Sequence, residues 1–246
     1  AEEVARKLDE IATPVQKRED IEHIAIISAN NDTAIGTLIS NAVESVGQDG
    51  SISIEEAGSL DTSLELREGF RFPGGYAAGA FINDERRGAV IYQDAFVLVA
   101  DAKLDKVEDI LPVLEQVARE GKPLVIVATE VEGQALAALI MNTVRGTMKV
   151  AAVKVSRYGA ERRNILSDLC LATGAAYVTK NSGLQLQDLK LENLGTCSRI
   201  EVSKHSTTVI DGARDNAEVE EKIESLKVEL EQTENIPECE RIQERI

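Results

Sequence analysis

Histidine and cysteine, two residue types that often carry out catalysis or bind metals, are few in this 246-residue sequence, and they are widely spaced. The two histidines, His23 and His205, each stand alone, without metal-ligand spacing to a cysteine or to one another. The three cysteines, Cys170, Cys197 and Cys239, form no C-x-x-C pair. Their odd number and long spacing indicate reduced thiols in a reducing compartment, and the apolar pattern around Cys170 predicts a core position. No metal site is predicted.

The glycine-rich stretch FRFPGGYAAGAF, residues 70–81, raises the question of a phosphate loop. Gly74 and Gly79 have the spacing of such a loop, but Ala80 and Phe81 occupy the places of its lysine and its serine or threonine. The sequence also has no G-x-G-x-x-G after a strand and no G-x-S-x-G nucleophile elbow. The stretch is predicted to be a loop or an irregular crossing, and no cofactor-binding site is predicted in this chain.

The segment GQALAALIMNTVRG, residues 133–146, is more apolar than one buried helix face requires. Its apolar side chains cover an arc of roughly 200°, whereas a helix packed on one side of a core needs a stripe of about 100° or slightly more. The earlier segment ILPVLEQVARE has a comparable apolar face. Either two layers bury the later helix, or part of its apolar surface contacts a partner outside this chain.

The elements that would position these helices alternate between strands and helices after residue 68. Short apolar runs such as FVLVA and PLVIVA predict strands that are covered on both faces, and helical segments separate them. This alternation implies crossover units on a largely parallel sheet, flanked by helices. CSRIEVS and STTVID predict a β-hairpin, and Pro112 predicts a helix that begins near Ile110. The fold class is therefore α/β.

Residues 1–67 have a different pattern. Helical segments come first, and Asp32 offers an N-terminal cap for one of them. Two alternating runs, SISIE and SLELREG, then predict strands. We therefore expect a small α+β segment over residues 1–67 and a larger α/β domain over residues 68–246.

Composition excludes two classes of function. The net charge is −16, from 43 acidic and 27 basic side chains. This charge argues against nucleic-acid binding, which needs a basic footprint, and against anchoring on an anionic membrane. No apolar run approaches the roughly 18 residues of a membrane span. Helical patterns without stop signals at both ends lead us to expect a piece of a longer protein.

Several long stretches of the sequence resemble the group I chaperonins, the GroEL/Hsp60 family. The most specific is ILPVLEQVAREGKPLVIVATEVEGQALAALIMNTVRGTMKVAAVKV, and ELREGFRFPGGYAAGAFIN, FVLVADAKL and TTVIDG agree with it. The similarity is collinear from about Ile27 to Ile246. It implies that residues 1–67 are part of the hinge-bearing intermediate domain and that residues 68–246 are the apical domain, truncated near its last helix. It also implies that the domain that binds ATP and Mg²⁺ lies outside this sequence, as does the catalytic aspartate, so that this stretch has no ATPase activity of its own.

The resemblance further implies a binding site. In the family, two apical helices form an apolar groove that captures non-native polypeptides and the mobile loop of a GroES/Hsp10-like co-chaperonin. The positions that match this groove are Tyr76, Phe81, Leu111, Leu114, Leu136, Ile140, Met141 and Asn142. Leu139 and Thr143 are then expected to face the core, while Leu111, Leu114, Leu136, Ile140 and Met141 form a partly exposed apolar surface. Such a surface is how a soluble protein recognises other proteins.

The sequence departs from the family pattern at a few positions. Ala80 stands where the family usually has an aromatic residue, and Gly74 where it usually has a basic one. Asp84 also replaces a basic residue, which in the family pairs between subunits with the acid that matches Glu132. Two acids would face each other at that position here, so we expect different contacts between domains and between subunits.

The function expected from the resemblance is that of a molecular chaperone, coupled in a heptameric full-length ring to ATP-driven folding. The location expected is the cytoplasm, or the mitochondrial matrix or plastid for an organellar form. Two alternatives remain open at this point. An α/β adaptor would bind one folded partner, and an unrecognised α/β enzyme would need a polar cleft at the carboxyl ends of its strands.

Overall fold

The computed structural model describes residues 17–46, 69–179, 182–212, 216–233, 235–243 and 245, together with residues 3, 7, 11, 12, 15, 62 and 64. The chain divides into two compact units. The first comprises residues 1–67, 233–244 and 246, and the second comprises residues 68–232 and 245. The division after residue 67 coincides with the change of pattern in the sequence. The assignment of an intermediate and an apical domain to these residues stays a prediction.

The described part of the first unit is helical. Helix α1 spans Arg18–Ser28 and helix α2 spans Thr33–Val46, and the two are in contact. The carboxylate of Asp32 accepts the backbone N–H groups of Ala34 and Ile35, which confirms the predicted cap. The chain's last helix, Ile236–Gln243, belongs to this unit as well. The predicted strands SISIE and SLELREG lie outside the described residues.

The second unit is a mixed sheet covered by helices, which confirms the α/β class. The elements of the second unit in chain order are β1 Phe70–Tyr76, β2 Val90–Leu104, α3 Val107–Glu120, β3 Leu124–Val131, α4 Gly133–Val144, β4 Val150–Val155, α5 Gly159–Thr173, β5 Tyr177–Val178, β6 Gly195–Val202, β7 Ser206–Gly212 and α6 Asn216–Gln232.

None of the described helices of the chain is both long enough and apolar enough to span a membrane.

The strands follow the order β3-β4-β1-β7-β6-β2-β5, and an additional pairing of β2 with β3 closes the sheet on itself. The pairs β2–β3, β3–β4 and β2–β5 are parallel, as the strand–helix alternation predicts. The pairs made by β1, and those of β6 with β2 and β7, are antiparallel. Four of the seven pairs between the described strands are therefore antiparallel, and the sheet is mixed rather than largely parallel as predicted. The predicted hairpin is confirmed as β6 and β7.

The prediction of a loop or an irregular crossing at residues 70–81 is wrong for its first half. Residues 70–76 form strand β1, which pairs with β7 through Phe70–Pro73 and with β4 through Gly74–Tyr76. Gly75 is required there because a Cβ at this position would overlap the carbonyl oxygen of Lys204. Pro73 is tolerated because its missing N–H falls where the pairing of β1 with β4 ends, one residue beyond Gly74, and its carbonyl oxygen still accepts the backbone N–H of Ser156 at 3.1 Å.

The core is one cluster that contains side chains of the sheet and of helices α3, α4 and α5. Strand β3 is buried on both faces through Leu124–Ala128, as a continuous apolar run predicts. Leu139 and Cys170 are buried, so the core positions predicted for both are confirmed. Helix α3 begins at Val107 rather than near Ile110, and Pro112 lies inside it.

The first prediction concerns Gly75, where β1 passes close to the β6–β7 turn. Gly75→Ala should lower the free energy of unfolding by about 1–3 kcal/mol, because the added methyl group collides with backbone rather than with a flexible side chain. Urea titration followed by circular dichroism measures the change. Gly79→Ala is the matched control, since a Cβ there has no atom within 4 Å. Equal stability of the two variants would contradict the close approach at Gly75.

The second prediction concerns Cys197. Burial raises the pKa of its thiol to about 11, and its sulfur lies 3.7 Å from the Ala95 carbonyl oxygen that accepts the thiol proton. At pH 8 the native thiol is therefore protonated and unreactive toward a disulfide reagent such as DTNB. In urea the thiol returns to its ordinary pKa of about 8.5 and should react. Mass spectrometry that finds Cys197 modified in the native chain as fast as the half-buried Cys239 would overturn this prediction.

Candidate functional site

The structure brings together the segments that the sequence singles out. Helix α3 contacts α4, and α4 contacts the short 3₁₀ turn Gly79–Phe81 that follows β1. The reason lies in the topology. Helices α3 and α4 are successive crossovers between the neighbouring parallel strands β2, β3 and β4. Because such crossovers have the same hand, they place their helices side by side on one face of the sheet.

One side of α4 is anchored in the core. Ala135 and Leu139, four residues apart, are fully buried. The hydroxyl of Thr143, a further turn along, donates to the carbonyl oxygen of Val150 on β4 at 2.7 Å. This side accounts for only part of the apolar arc, so the remaining apolar side chains need another explanation.

The exposed side of α4 is also apolar. Leu136 and Ile140 are half-buried and pack against the edge of the core. Farther round the helix, at about 180° and 240° from Ala135, Val144 is 69% exposed and Met141 is 48% exposed. In the described part of the chain, no second layer covers these side chains. The wide apolar arc is therefore an exposed surface rather than the sign of a helix buried on two sides.

Helix α3 adds one exposed side chain to this surface. Leu111 is 45% exposed, as predicted. The prediction that Leu114 is also exposed is wrong, since Leu114 is only 6% exposed. Leu114 lies on the same face of the helix as the buried residues Ile110, Val113 and Val117. Leu111 lies about 100° round the helix from Ile110, at the border of that face. Leu114 therefore supports the surface from the core.

The segment after β1 lies beneath α4. Phe81 is fully buried and Tyr76 is half-buried, and both pack against the core. Ala80, at the position where the resemblance leads us to expect an aromatic residue, is exposed. A methyl group there presents less apolar area than a ring would. This segment therefore positions α4 more than it extends the exposed surface.

Asn142 has a structural role in ending α4. Its side-chain nitrogen donates to the Ala138 carbonyl oxygen at 2.9 Å, and its side-chain oxygen accepts the Thr147 hydroxyl at 2.9 Å. Its backbone carbonyl oxygen accepts the N–H groups of Thr147 and Met148. These hydrogen bonds fix the turn that leads from α4 into β4.

Val144 is a surface residue that the family resemblance does not point to. It is the most exposed large apolar side chain of α4. The signal was present in the sequence, because Val144 belongs to the apolar arc of the helix. We define the α3–α4 apolar surface as Leu111, Leu136, Ile140, Met141 and Val144.

The charged groups at the carboxyl ends of the parallel strands pair with one another. Lys103 lies 2.7 Å from Glu132, and Lys154 lies 2.8 Å from Glu130. These contacts raise the pKa of Lys103 and lower that of Glu130, each chiefly through the hydrogen bond within the pair. Asp101 pairs with Arg162 at 3.1 Å in the same region of the sheet. Each of these charges thus already has a partner within the chain.

Asp84, where the sequence departs from the family, also has partners of its own. Its carboxylate accepts the backbone N–H groups of Arg86 and Arg87 at 3.1 and 3.2 Å. This arrangement is a side-chain-stabilised turn of the kind that aspartate favours. Asp84 therefore shapes the Asp84–Ala89 connection, whose two ends form a β-bridge.

The model of the TCP-1/cpn60 chaperonin family matches residues 1–241, almost the whole chain. The match spans both compact units, and it includes α3, α4 and the strands that position them. On this match, the chain belongs to the TCP-1/cpn60 chaperonin family.

Proposed function

We propose that the second unit binds non-native polypeptides through the α3–α4 apolar surface. Chaperonins are chaperones that form oligomeric rings and act on client proteins, and this chain is a chaperonin-type protein. The observation that carries the proposal is the exposure of Leu111, Met141 and Val144 on two adjacent helices. Contact between these apolar side chains and water is unfavourable in free energy, and binding an apolar partner removes that contact. The chain as a whole has a net charge of −16, so an exposed apolar surface stands out on it.

The shape and chemistry of the surface favour partners without a fixed sequence. Two helices that lie side by side offer a depression in which an extended or helical apolar segment can lie. Met141 has a flexible and polarisable side chain that adapts to differently shaped partners. We therefore propose that segments of unfolded clients and the mobile loop of a GroES/Hsp10-like co-chaperonin use the same surface.

For the full-length protein we propose a heptameric ring that uses ATP and Mg²⁺. The residues of this chain do not fit a nucleotide phosphate at Gly74–Phe81. Gly74 lies within β1, where its N–H donates to the His205 carbonyl oxygen and its own carbonyl oxygen accepts the Thr207 hydroxyl. Phe81 is buried in the core. Because the family resemblance assigns the nucleotide site to a domain outside this sequence, we propose that nucleotide binding lies outside residues 1–246.

The main test removes exposed apolar groups without touching the core. Met141→Ser and Leu111→Ser should each weaken binding of a permanently unfolded client, such as reduced and carboxymethylated α-lactalbumin, by about fivefold. The estimate assumes that binding buries the exposed half of a side chain whose full burial contributes roughly 1.5–3 kcal/mol. Fluorescence anisotropy of the labelled client measures the affinity. The free energy of unfolding should change by no more than about 0.5 kcal/mol.

Two control variants separate binding from stability. Val228→Ser on α6 removes a side chain that is 49% exposed, like Met141, but lies outside the α3–α4 apolar surface, and it should leave affinity unchanged. Leu139→Ser should lower the stability by about 2–5 kcal/mol or more, because it removes a fully buried side chain. The proposal fails if Val228→Ser weakens binding as much as Met141→Ser. An adaptor function would be indicated by binding of one folded protein and of no unfolded client.

A further prediction concerns nucleotide. Titration of the 246-residue chain with ATP and Mg²⁺ in a calorimeter should give no saturable heat at micromolar concentrations, because Gly74–Phe81 is built into the sheet and the core. The Met141→Ser chain should give the same result, because its substitution lies on α4 and leaves Gly74–Phe81 unchanged. Saturable binding by either sample would place a nucleotide site within these residues and contradict the proposal.

A further inference from the structure

The α3–α4 apolar surface contains one side chain that a mild oxidant can change chemically. The sequence has two methionines, Met141 and Met148. Met141 lies in the surface with almost half of its area exposed, whereas Met148 is half-buried against the core. We propose that Met141 is a site of reversible oxidation by peroxides, and that its sulfoxide weakens binding of non-native polypeptides. This inference rests on the proposed function of the same surface.

The reaction balances with a peroxide as the only co-reactant. A lone pair on the thioether sulfur forms a bond to one peroxide oxygen while the O–O bond breaks. The sulfur loses two electrons and the peroxide gains them. The proton on the transferred oxygen passes to the departing hydroxide, which leaves as water. Methionine sulfoxide reductases reverse the change by reducing the sulfoxide back to the thioether.

The structure favours Met141 over the other sulfur atoms in the second unit. Cys170 and Cys197 are buried, and the pKa of Cys197 is raised to about 11 by burial, so that little thiolate is present at neutral pH. Met148 shows less of its surface than Met141. Because sulfur oxidation follows exposure, Met141 should react first among these groups.

The position of Met141 makes the oxidation matter for binding. Its flanking positions on the exposed side of α4, Ala137 and Val144, are both apolar and exposed. A sulfoxide oxygen placed beside them must lose its water when a client covers the surface, and an apolar client offers it no hydrogen bond. Arg145 follows four residues later, at the spacing where helix side chains meet, so the oxidised side chain has a donor nearby in the unbound state. Oxidation therefore favours the unbound chain.

The test uses hydrogen peroxide on the whole 246-residue chain. After the reaction is stopped, dithiothreitol restores any oxidised thiols that it can reduce and leaves methionine sulfoxide unchanged. Peptide mass spectrometry should show one added oxygen at Met141 before Met148. Affinity for reduced and carboxymethylated α-lactalbumin should fall about fivefold, and methionine sulfoxide reductases A and B together should restore it. The thermal midpoint, followed by circular dichroism, should stay nearly unchanged.

Met141→Leu is the matched control, because leucine is apolar, similar in volume and not oxidised by peroxide. Whatever affinity the untreated Met141→Leu chain has, peroxide treatment should change it by less than about twofold, because leucine offers no thioether to oxidise. The inference is overturned if Met141 is oxidised without a change in affinity, if Met148 reacts first, or if the treated Met141→Leu chain loses affinity equally. If the untreated wild-type chain does not bind the unfolded client at all, the proposed function fails as well, and this outcome is distinct from the other three.

Discussion

The pairing of β2 on both of its edges is the constraint on which the rest of the second unit depends. One edge pairs with β6 and then β5, and the other pairs with β3. This double pairing closes the sheet, so that the order of the strands around it is fixed. The crossovers from β2 to β3 and from β3 to β4 must then lie next to each other on the outside. The adjacency of α3 and α4 is a consequence of backbone pairing and needs no special contact between the two helices.

The two sides of α4 have different roles. One side packs on the core and the other is exposed, and both roles fit on one helix because the two sets of side chains point in different directions around its axis. Ala135 and Leu139 fasten the helix to the sheet, while Met141 and Val144 stay at the surface. Leu136 and Ile140 lie between these groups and contribute to both. A rigid support under an exposed apolar surface has a physical advantage. The helix backbone is held in place by the buried Ala135 and Leu139, so little backbone entropy is lost when a partner binds, while the exposed Met141 side chain keeps its flexibility.

Local sequence patterns predicted the features that depend on neighbouring residues. The β6–β7 hairpin, the Asp32 cap and the burial of Cys170 all follow from periodicity or turn chemistry within a short window, whereas the burial of Leu139 was expected from the family resemblance. The strand at residues 70–76 could not be predicted from such local patterns. Its glycines and proline are typical of a loop, and only the pairing with β4 and β7 makes the segment a strand. Leu114 is a different case. It shares the helical stripe of Ile110, Val113 and Val117, so the local pattern favours burial, and the family resemblance placed it at the surface. The α3–α4 apolar surface was thus predictable in outline, and its exact members were not.

The closed sheet also limits how an aggregation-prone unfolded chain can bind to this unit. An unpaired strand edge offers rows of free N–H and C=O groups, which an unfolded chain can join as an additional strand. In the described strands of the second unit, most of these groups are already paired within the closed sheet, and β5, which ends the strand order, is only two residues long. A bound segment can therefore be held by its side chains but has little backbone to extend. Attachment through side chains alone is easily reversed, whereas strand addition is the first step toward a fibril.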